Sequence, residues 1–361
     1  MTLRTKVALG LLVFVPLSIA AERLELGEGM IFLTSVLAII PLAVWLSTAT
    51  EELALALGPS IGALLNAVFG NATELIIALT ALRAGLVEIV KASITGTVVA
   101  NLLLALGLSM LVGGIGRQEQ RFQPVVARVN GTAMSLAVLA ILIPSLTGMG
   151  EGGHGLGTQR FSTFVAWILL VVYGLTLLFS LRTHSGLYAV AEADLEEETA
   201  HKPPLLPWLA VLVAATAGVA YESELFVGVV EQVTAKVGLS ALFTGVVLLP
   251  LLGGVAEYLT AVTMARKNKM DLSVSVALGS TLLVALLVVP ILVLVGPLLG
   301  HPLDLNFQMY ELVAIATAVV VSNLVSLDGR SDWLEGVLLL AAYVILAAGF
   351  YFQSMPLASV T

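Results

Sequence analysis

The chain has 361 residues, 59% of them hydrophobic and 11% charged, with a net charge of −8 and no cysteine. Soluble domains carry roughly 25% charged residues, so a water-exposed globule of this size is excluded. The acidic balance excludes a nucleic-acid partner, which needs clustered Lys and Arg, and the missing cysteines exclude disulfides, thiolate metal sites and cysteine nucleophiles.

A membrane-spanning helix needs about 20 mostly apolar residues. Apolar runs between charge or Gly/Pro breaks predict an all-α polytopic membrane protein with about eleven transmembrane helices. They lie near 7–21, 29–48, 61–82, 88–113, 127–147, 160–181, 204–221, 240–265, 271–298, 308–326 and 332–352. The first run follows Arg4 and Lys6 and ends near Ser18 and Ala20, a pattern shared with signal peptides; we read it as a retained first helix.

With the N-terminus inside, Lys and Arg divide eleven to five in favour of the cytoplasmic side. The positive-inside rule then puts the N-terminus in the cytoplasm and the C-terminus outside. Between the sixth and seventh runs, Ala191 to Glu198 is acidic and closes on Lys202-Pro203-Pro204. It reads either as a solvated hinge or as a cytoplasmic acidic helix that concentrates cations near an entrance.

Sliding the chain by 183 residues aligns 70–113 with 253–296 without a gap, with 11 identities in 44 positions. Gly70, Glu74, Ala78, Thr80, Arg83 and Gly96 meet Gly253, Glu257, Ala261, Thr263, Arg266 and Gly279. The expected organisation is a first peripheral helix (1–24), a five-helix repeat (25–182), the acidic linker (183–203) and a second five-helix repeat (204–361). An odd number of helices turns the second copy upside down, an architecture that recurs in secondary transporters with the binding site near the midplane.

Gly70-Asn71-Ala72-Thr73-Glu74 and Gly253-Gly254-Val255-Ala256-Glu257 lie inside the third and eighth runs. Each glutamate stands eight residues from the C-terminal end of its run, about 12 Å at 1.5 Å per residue. An ionised carboxylate at that depth costs at least about 2.5–3.5 kcal/mol, so it must be protonated, paired or bound to a cation. The bland alternative is a pair of neutral acids satisfied by nearby backbone.

Hard cations take oxygen ligands. Glu74 and Glu257 are therefore the expected cation and proton ligands, with Asn71 one helical turn from Glu74. Gly70, Gly253 and Gly254 loosen the helix and free carbonyls, helped by Pro250, which lacks an N–H; they also read as close-packing points. Thr97, Asn101, Ser280 and Thr281 on the following helices are expected to support the site, although Ser and Thr often bond back to their own helix. Thr50-Glu51-Glu52 and Glu222-Ser223-Glu224 form a second acidic layer that reads as vestibule or as solvated helix ends. His154, His184, His201 and His301 fall in loops without metal-ligand spacing and read as surface residues.

At these residues the chain resembles the cation/proton exchanger family, the calcium/proton branch of the calcium/cation antiporter superfamily. Leu64 to Ile76 is similar to the family's first signature. The second is matched by Glu257, Ala261-Val262-Thr263, Lys267 to Leu272, Ala277 to Ser280 and Pro290, and the last helix by Asp328-Gly329, Trp333 to Gly336 and Tyr343. The resemblance implies a calcium/proton antiporter of eleven helices in inverted repeats, in which Glu74 and Glu257 hold calcium and protons in turn. It also implies a cytoplasmic acidic linker helix, and family members often form homo-oligomers. The chain departs from the pattern at Gly254, Tyr258, Ala100 and Leu283, where the family favours Asn, His, Ser and Gln. These departures predict a Glu257 side that relies on backbone carbonyls and water.

No nucleophile elbow, phosphate loop or zinc-protease motif is present, so the expected protein is no enzyme, binds no cofactor beyond its transported Ca²⁺ and H⁺, and works in a lipid bilayer. The expected activity is exchange of cytoplasmic calcium for external protons by alternating access. The rival readings are a sodium-coupled or manganese-carrying exchanger, a cation channel and a membrane-embedded hydrolase. Short loops and the lack of a long regulatory extension point to a prokaryotic inner membrane.

Overall fold

The structure, a computed structural model, describes residues 3–150, 156–184 and 203–353. They form α1 (Leu3–Leu11), α2 (Phe14–Arg23), α3 (Glu28–Leu57), α4 (Pro59–Phe69), α5 (Ala72–Arg83) and α6 (Val87–Gly114). After these come α7 (Pro124–Gly150), α8 (Leu156–Leu178), α9 (Leu205–Lys236), α10 (Ala241–Gly253) and α11 (Val255–Arg266). The last are α12 (Met270–Leu299), α13 (Met309–Val325) and α14 (Trp333–Gln353). Two short strands, β1 (Gln120–Arg121) and β2 (Arg330–Ser331), pair antiparallel with Gln120 opposite Ser331. Most of the acidic linker, with His154 and His201, lies outside the described residues.

All eleven predicted runs fall on helix, but not all are continuous. Among the described residues seven helices are long and apolar enough to cross a membrane, or eight if the bent pair α10–α11 is one span. The others fall short for visible reasons. The run 7–21 divides at Leu12–Val13, and the run 61–82 divides at Gly70–Asn71. The run 240–265 bends by 60° at Gly254, and α13 has 17 residues.

Polar residues decide which helices are central, because a polar group inside a bilayer is expensive unless it faces protein. The apolar windows of α6 and α12 are 83% and 61% buried, against 17–33% for α7, α8, α9 and α14. Helix α6 carries Lys91, Ser93, Thr95, Thr97 and Asn101 inward. Both central helices widen into π turns, at Ala100–Ala105 and Val284–Val288, nearly superposed by the 183-residue shift.

The main chains of α6 and α10 touch. A Cβ at Gly96 would overlap Val246 O and stand 2.6 Å from Pro250 Cγ; one at Gly245 would overlap Ala92 Cβ and stand 2.7 Å from Ile89 O. Small residues are what permit such an approach between membrane helices. Two long helices, α3 and α9, pack along each other, joined at their ends by Lys236 and Glu28 at 2.5 Å.

Charges near the two ends of the bundle are paired. Arg117 donates to Gly113 O (2.6 Å) and Arg266 O (3.1 Å), while Glu119 bridges Arg121 (2.7 Å) and Arg330 (3.3 Å). The hydrogen bond from Arg121, with the charge of Arg330, holds the Glu119 carboxyl below the usual carboxylate range. At the opposite end, Arg83 pairs with Glu224 at 3.3 Å and Lys91 with Asp304 at 2.5 Å.

Candidate functional site

Both glutamates occupy the first turn of a helix that begins at a break. Asn71 (φ −119°) precedes α5, and Gly254 (φ −86°) precedes α11. A helix N-terminus favours a carboxylate, and the unpaired carbonyls that end α4 and α10 lie at the same breaks. Each break therefore collects acidic and carbonyl oxygen, the ligand type of hard cations. Gly70, Gly253 and Gly254 stand at these breaks.

The halves interlock. Asn71 Nδ2 donates to Ser280 Oγ at 2.7 Å, and Asn101 Nδ2 donates to the same oxygen at 2.9 Å. Glu74 packs across onto the second break, where a Cβ at Gly253 would stand 2.8 Å from Glu74 Cγ. Glu74 is buried, and neither of its carboxylate oxygens has a hydrogen-bond partner among the described residues. A buried carboxylate without partners is costly unless it holds a proton or a cation.

A cavity of about 420 Å³ reaches this point from one end of the bundle. It is lined by Gly70, Asn71, Glu257, Gly279 and Ser280 and by Thr50, Glu51, Asn130 and Leu181. Glu257 is thus open to the cavity, whereas Glu74 lies behind its wall. Its lining residues Asn130, Leu181 and Leu272 are close in the chain to Arg128, Arg182 and Lys269, at the end rich in basic residues.

The remaining predicted residues sort as follows. Thr50 lines the cavity while bonding back to Leu46 O at 2.9 Å, and Glu51 accepts from Ser47 at 3.1 Å. Ser223 and Glu224 do not line this cavity: Ser223 is buried and bonds back to Val219 O, and Glu224 is an exposed partner of Arg83. Their neighbour Glu222 is fully buried and meets Ser18 Oγ at 2.6 Å. Thr281 bonds back to Ala277 O at 2.8 Å, and Thr97 is buried one turn before Asn101. His184 stacks on Phe179 at 4.1 Å, and His301 lies beside Gly85. Among the described residues no three His, Cys, Asp or Glu side chains converge, so a cation would need amide, hydroxyl and carbonyl oxygen as well.

Sequence reasoning missed two features. Lys91, one of the five basic residues on the side opposite the N-terminus in the charge count, is 4% exposed and holds Asp304 and Asn306 O (2.9 Å); its place inside the run 88–113 was the available signal. Tyr258, noted only as a departure, donates its hydroxyl to Pro250 O at 2.9 Å. The second break therefore has a side-chain polar partner besides backbone and water.

The model of the sodium/calcium exchanger protein family matches residues 28–182 and 207–352. The chain is 52% identical over 357 residues to a Ca(2+)/H(+) antiporter of Aphanothece halophytica, covering 95% of this chain and 96% of that one. It is 49% identical over 368 residues to a Ca(2+)/H(+) antiporter of Synechocystis sp., covering 98% and 99%. Among solved structures, native YfkE superposes with a TM-score of 0.83 at 37% identity, covering 96% of this chain and 99% of that one. An H+/Ca2+ exchanger, CAX, shares the fold with a TM-score of 0.71 at 15% identity, covering 98% and 93%. A nearly all-helical bundle, glutamates at two helix breaks and family matches over both halves lead to one assignment: the chain belongs to the sodium/calcium exchanger family, a family of membrane transporters and not of enzymes.

Proposed function

We propose that this protein exchanges cytoplasmic Ca²⁺ for external H⁺ by alternating access, with Glu74 and Glu257 as the shared ligands near the membrane midplane. In this reading eleven spans, three of them interrupted, form a peripheral helix and two inverted five-helix repeats. The relatives' calcium/proton antiport supports the choice of ions. Two carboxylates that release their protons on taking up a divalent cation give a natural exchange: cation bound with both ionised, cation released with both protonated. The basic end of the bundle is the cytoplasmic end by the positive-inside rule, so the cavity opens inward.

One observation carries the alternating-access reading. The face of α12 that lines the open cavity includes Leu272, Ser275, Val276 and Gly279. Shifted by 183 residues, these positions are Ile89, Ala92, Ser93 and Gly96, the α6 face that is sealed against α10. One face stands open where its counterpart is closed. A pair of equivalent gates in opposite states is what an inverted-repeat exchanger needs, since swapping the two states reverses which side is open.

Reconstituted vesicles under an imposed pH gradient test this. Proton-driven uphill Ca²⁺ uptake that collapses with a protonophore is the expected result. Uptake that survives the protonophore and needs a Na⁺ gradient would replace protons with sodium. Downhill Ca²⁺ flux indifferent to the proton gradient would make the protein a channel.

A further inference from the structure

The two breaks differ where the 183-residue correspondence makes them comparable. Asn71 corresponds to Gly254, and Leu75 to Tyr258. In the first half the polar group is an amide on the break itself, followed one turn later by an apolar side chain. In the second half the break residue has no side chain, and the polar group is a phenol one turn later.

That phenol folds back onto the break. A Cβ at Gly254 would stand 2.6 Å from both Cζ and Oη of Tyr258, so the ring fills the space a side chain at 254 would need. Glycine at 254 and tyrosine at 258 require each other. The Tyr258 hydroxyl donates to Pro250 O at 2.9 Å, and the same carbonyl accepts the Gly254 N–H at 2.9 Å. A phenol has one proton to give. With it committed to Pro250, the oxygen presents only lone pairs to its surroundings.

Asn71 is arranged to the same effect, because its amide nitrogen is committed to Ser280 and its oxygen remains as an acceptor. Tyr258 is 8% exposed. Beside it, at Gly253, lies Glu74 with two buried, unpartnered oxygens. Glu257 is the neighbour of Tyr258 in the chain.

We propose that Tyr258 sets cation affinity in the second half-site: its phenol oxygen faces the cation there, in the role that the Asn71 amide oxygen has in the first. A neutral oxygen donor suits a hard divalent ion already neutralised by two carboxylates. The proposal rests on the antiport reading for the identity of the ion.

Ca²⁺ titration of the full chain in detergent, alongside exchange in vesicles, tests it. Tyr258→Phe removes one oxygen and keeps the ring. It should weaken Ca²⁺ binding and raise KM about tenfold, or ~1.4 kcal/mol, with maximal rate and thermal stability retained. Gly254→Asn alone collides with the ring and should lose binding. Gly254→Asn combined with Tyr258→Leu copies the pair of the first half and should recover it. Unchanged Kd and KM in Tyr258→Phe would overturn the proposal, as would a loss of stability and rate with KM unmoved, which marks a packing role. A wild-type chain that binds Ca²⁺ without exchanging it sinks the antiport reading and leaves Tyr258 testable by Kd. A chain that binds no Ca²⁺ overturns both.

Discussion

Asn71 and Ser280 are 209 residues apart in the chain and 2.7 Å apart in space, and Asn101 reaches the same hydroxyl at 2.9 Å. One serine oxygen thus joins the break of the first half to both central helices. Ser280→Ala strands two buried amide donors, at about 1–3 kcal/mol for an unsatisfied group. The variant should unfold at a lower temperature in detergent and bind Ca²⁺ more weakly. Ser280→Thr, which keeps the acceptor, should lose much less. Equal behaviour of the two variants would remove the hydroxyl from the site.

The two glutamates should differ in access. Because the chain has no cysteine, single substitutions can be labelled without background. Glu257→Cys, on the cavity wall, should react with a membrane-impermeant thiol reagent applied from the cavity side. Glu74→Cys should react at least about tenfold more slowly, a gap equivalent to ~1.4 kcal/mol of protection. Separately, Glu74→Gln and Glu257→Gln should each abolish exchange, and near-normal transport in either would dismiss that residue.

Gly279 and Gly96 make an informative pair. Nothing lies within 4 Å of a Cβ at Gly279, whereas one at Gly96 runs into Val246 O. Gly279→Leu should therefore fold normally and yet slow exchange at least about tenfold, by raising the barrier to closing the cavity ~1.4 kcal/mol. Gly96→Leu should fail earlier, as poor yield and aggregation on size exclusion. Wild-type exchange in Gly279→Leu would show that this face never closes.

Lys91 and Asp304 form a buried ion pair, with side chains 5% and 9% exposed. Removing one partner of such a pair costs about 3–5 kcal/mol, while replacing both with apolar groups is often neutral. Lys91→Met should lower the melting temperature markedly, and adding Asp304→Leu should restore most of it. A double variant no better than the single would mean that the Lys91 contact to Asn306 O matters more than the ion pair.

The Glu119 bridge supplies a control on pH. Its carboxyl titrates below the usual range because Arg121 and Arg330 favour the charged form. The contribution to stability is present above the unfolded carboxylate pKa, about 4.3, and is lost only as pH falls through the lower folded value. Glu119→Gln should leave the pH profile of exchange near neutrality unchanged; a shifted profile would make this loop part of proton coupling.

Much of this was legible in the sequence because the bilayer is a strict solvent. Apolar runs marked every helix, and the cost of a buried acid singled out Glu74 and Glu257. Asn71, Asn101 and Ser280 were named from residue type and position, and they do converge. Tyr258 escaped because its value lies in folding back over Gly254, a rotamer and a backbone bend that no spacing rule encodes. Lys91 escaped because its partner Asp304 lies more than 200 residues away, and a lysine near a helix end is usually solvated. Ser223 and Glu224 lie toward the opposite end of the bundle from the cavity, so this cavity says nothing of the vestibule expected there.

The contact between α6 and α10 has a mechanical consequence. At Gly96 and Gly245 the barrier is main chain against main chain, so no side chain there can swing aside to let an ion slip past. On the antiport reading, the outer barrier yields only when α10 moves as a body, and α10 ends at the bend that precedes Glu257. Unsealing the outside and reshaping the Glu257 half-site are then a single displacement. Leakage would require the first without the second, and only the π turn at Thr244–Leu248 and Pro250 lie between them.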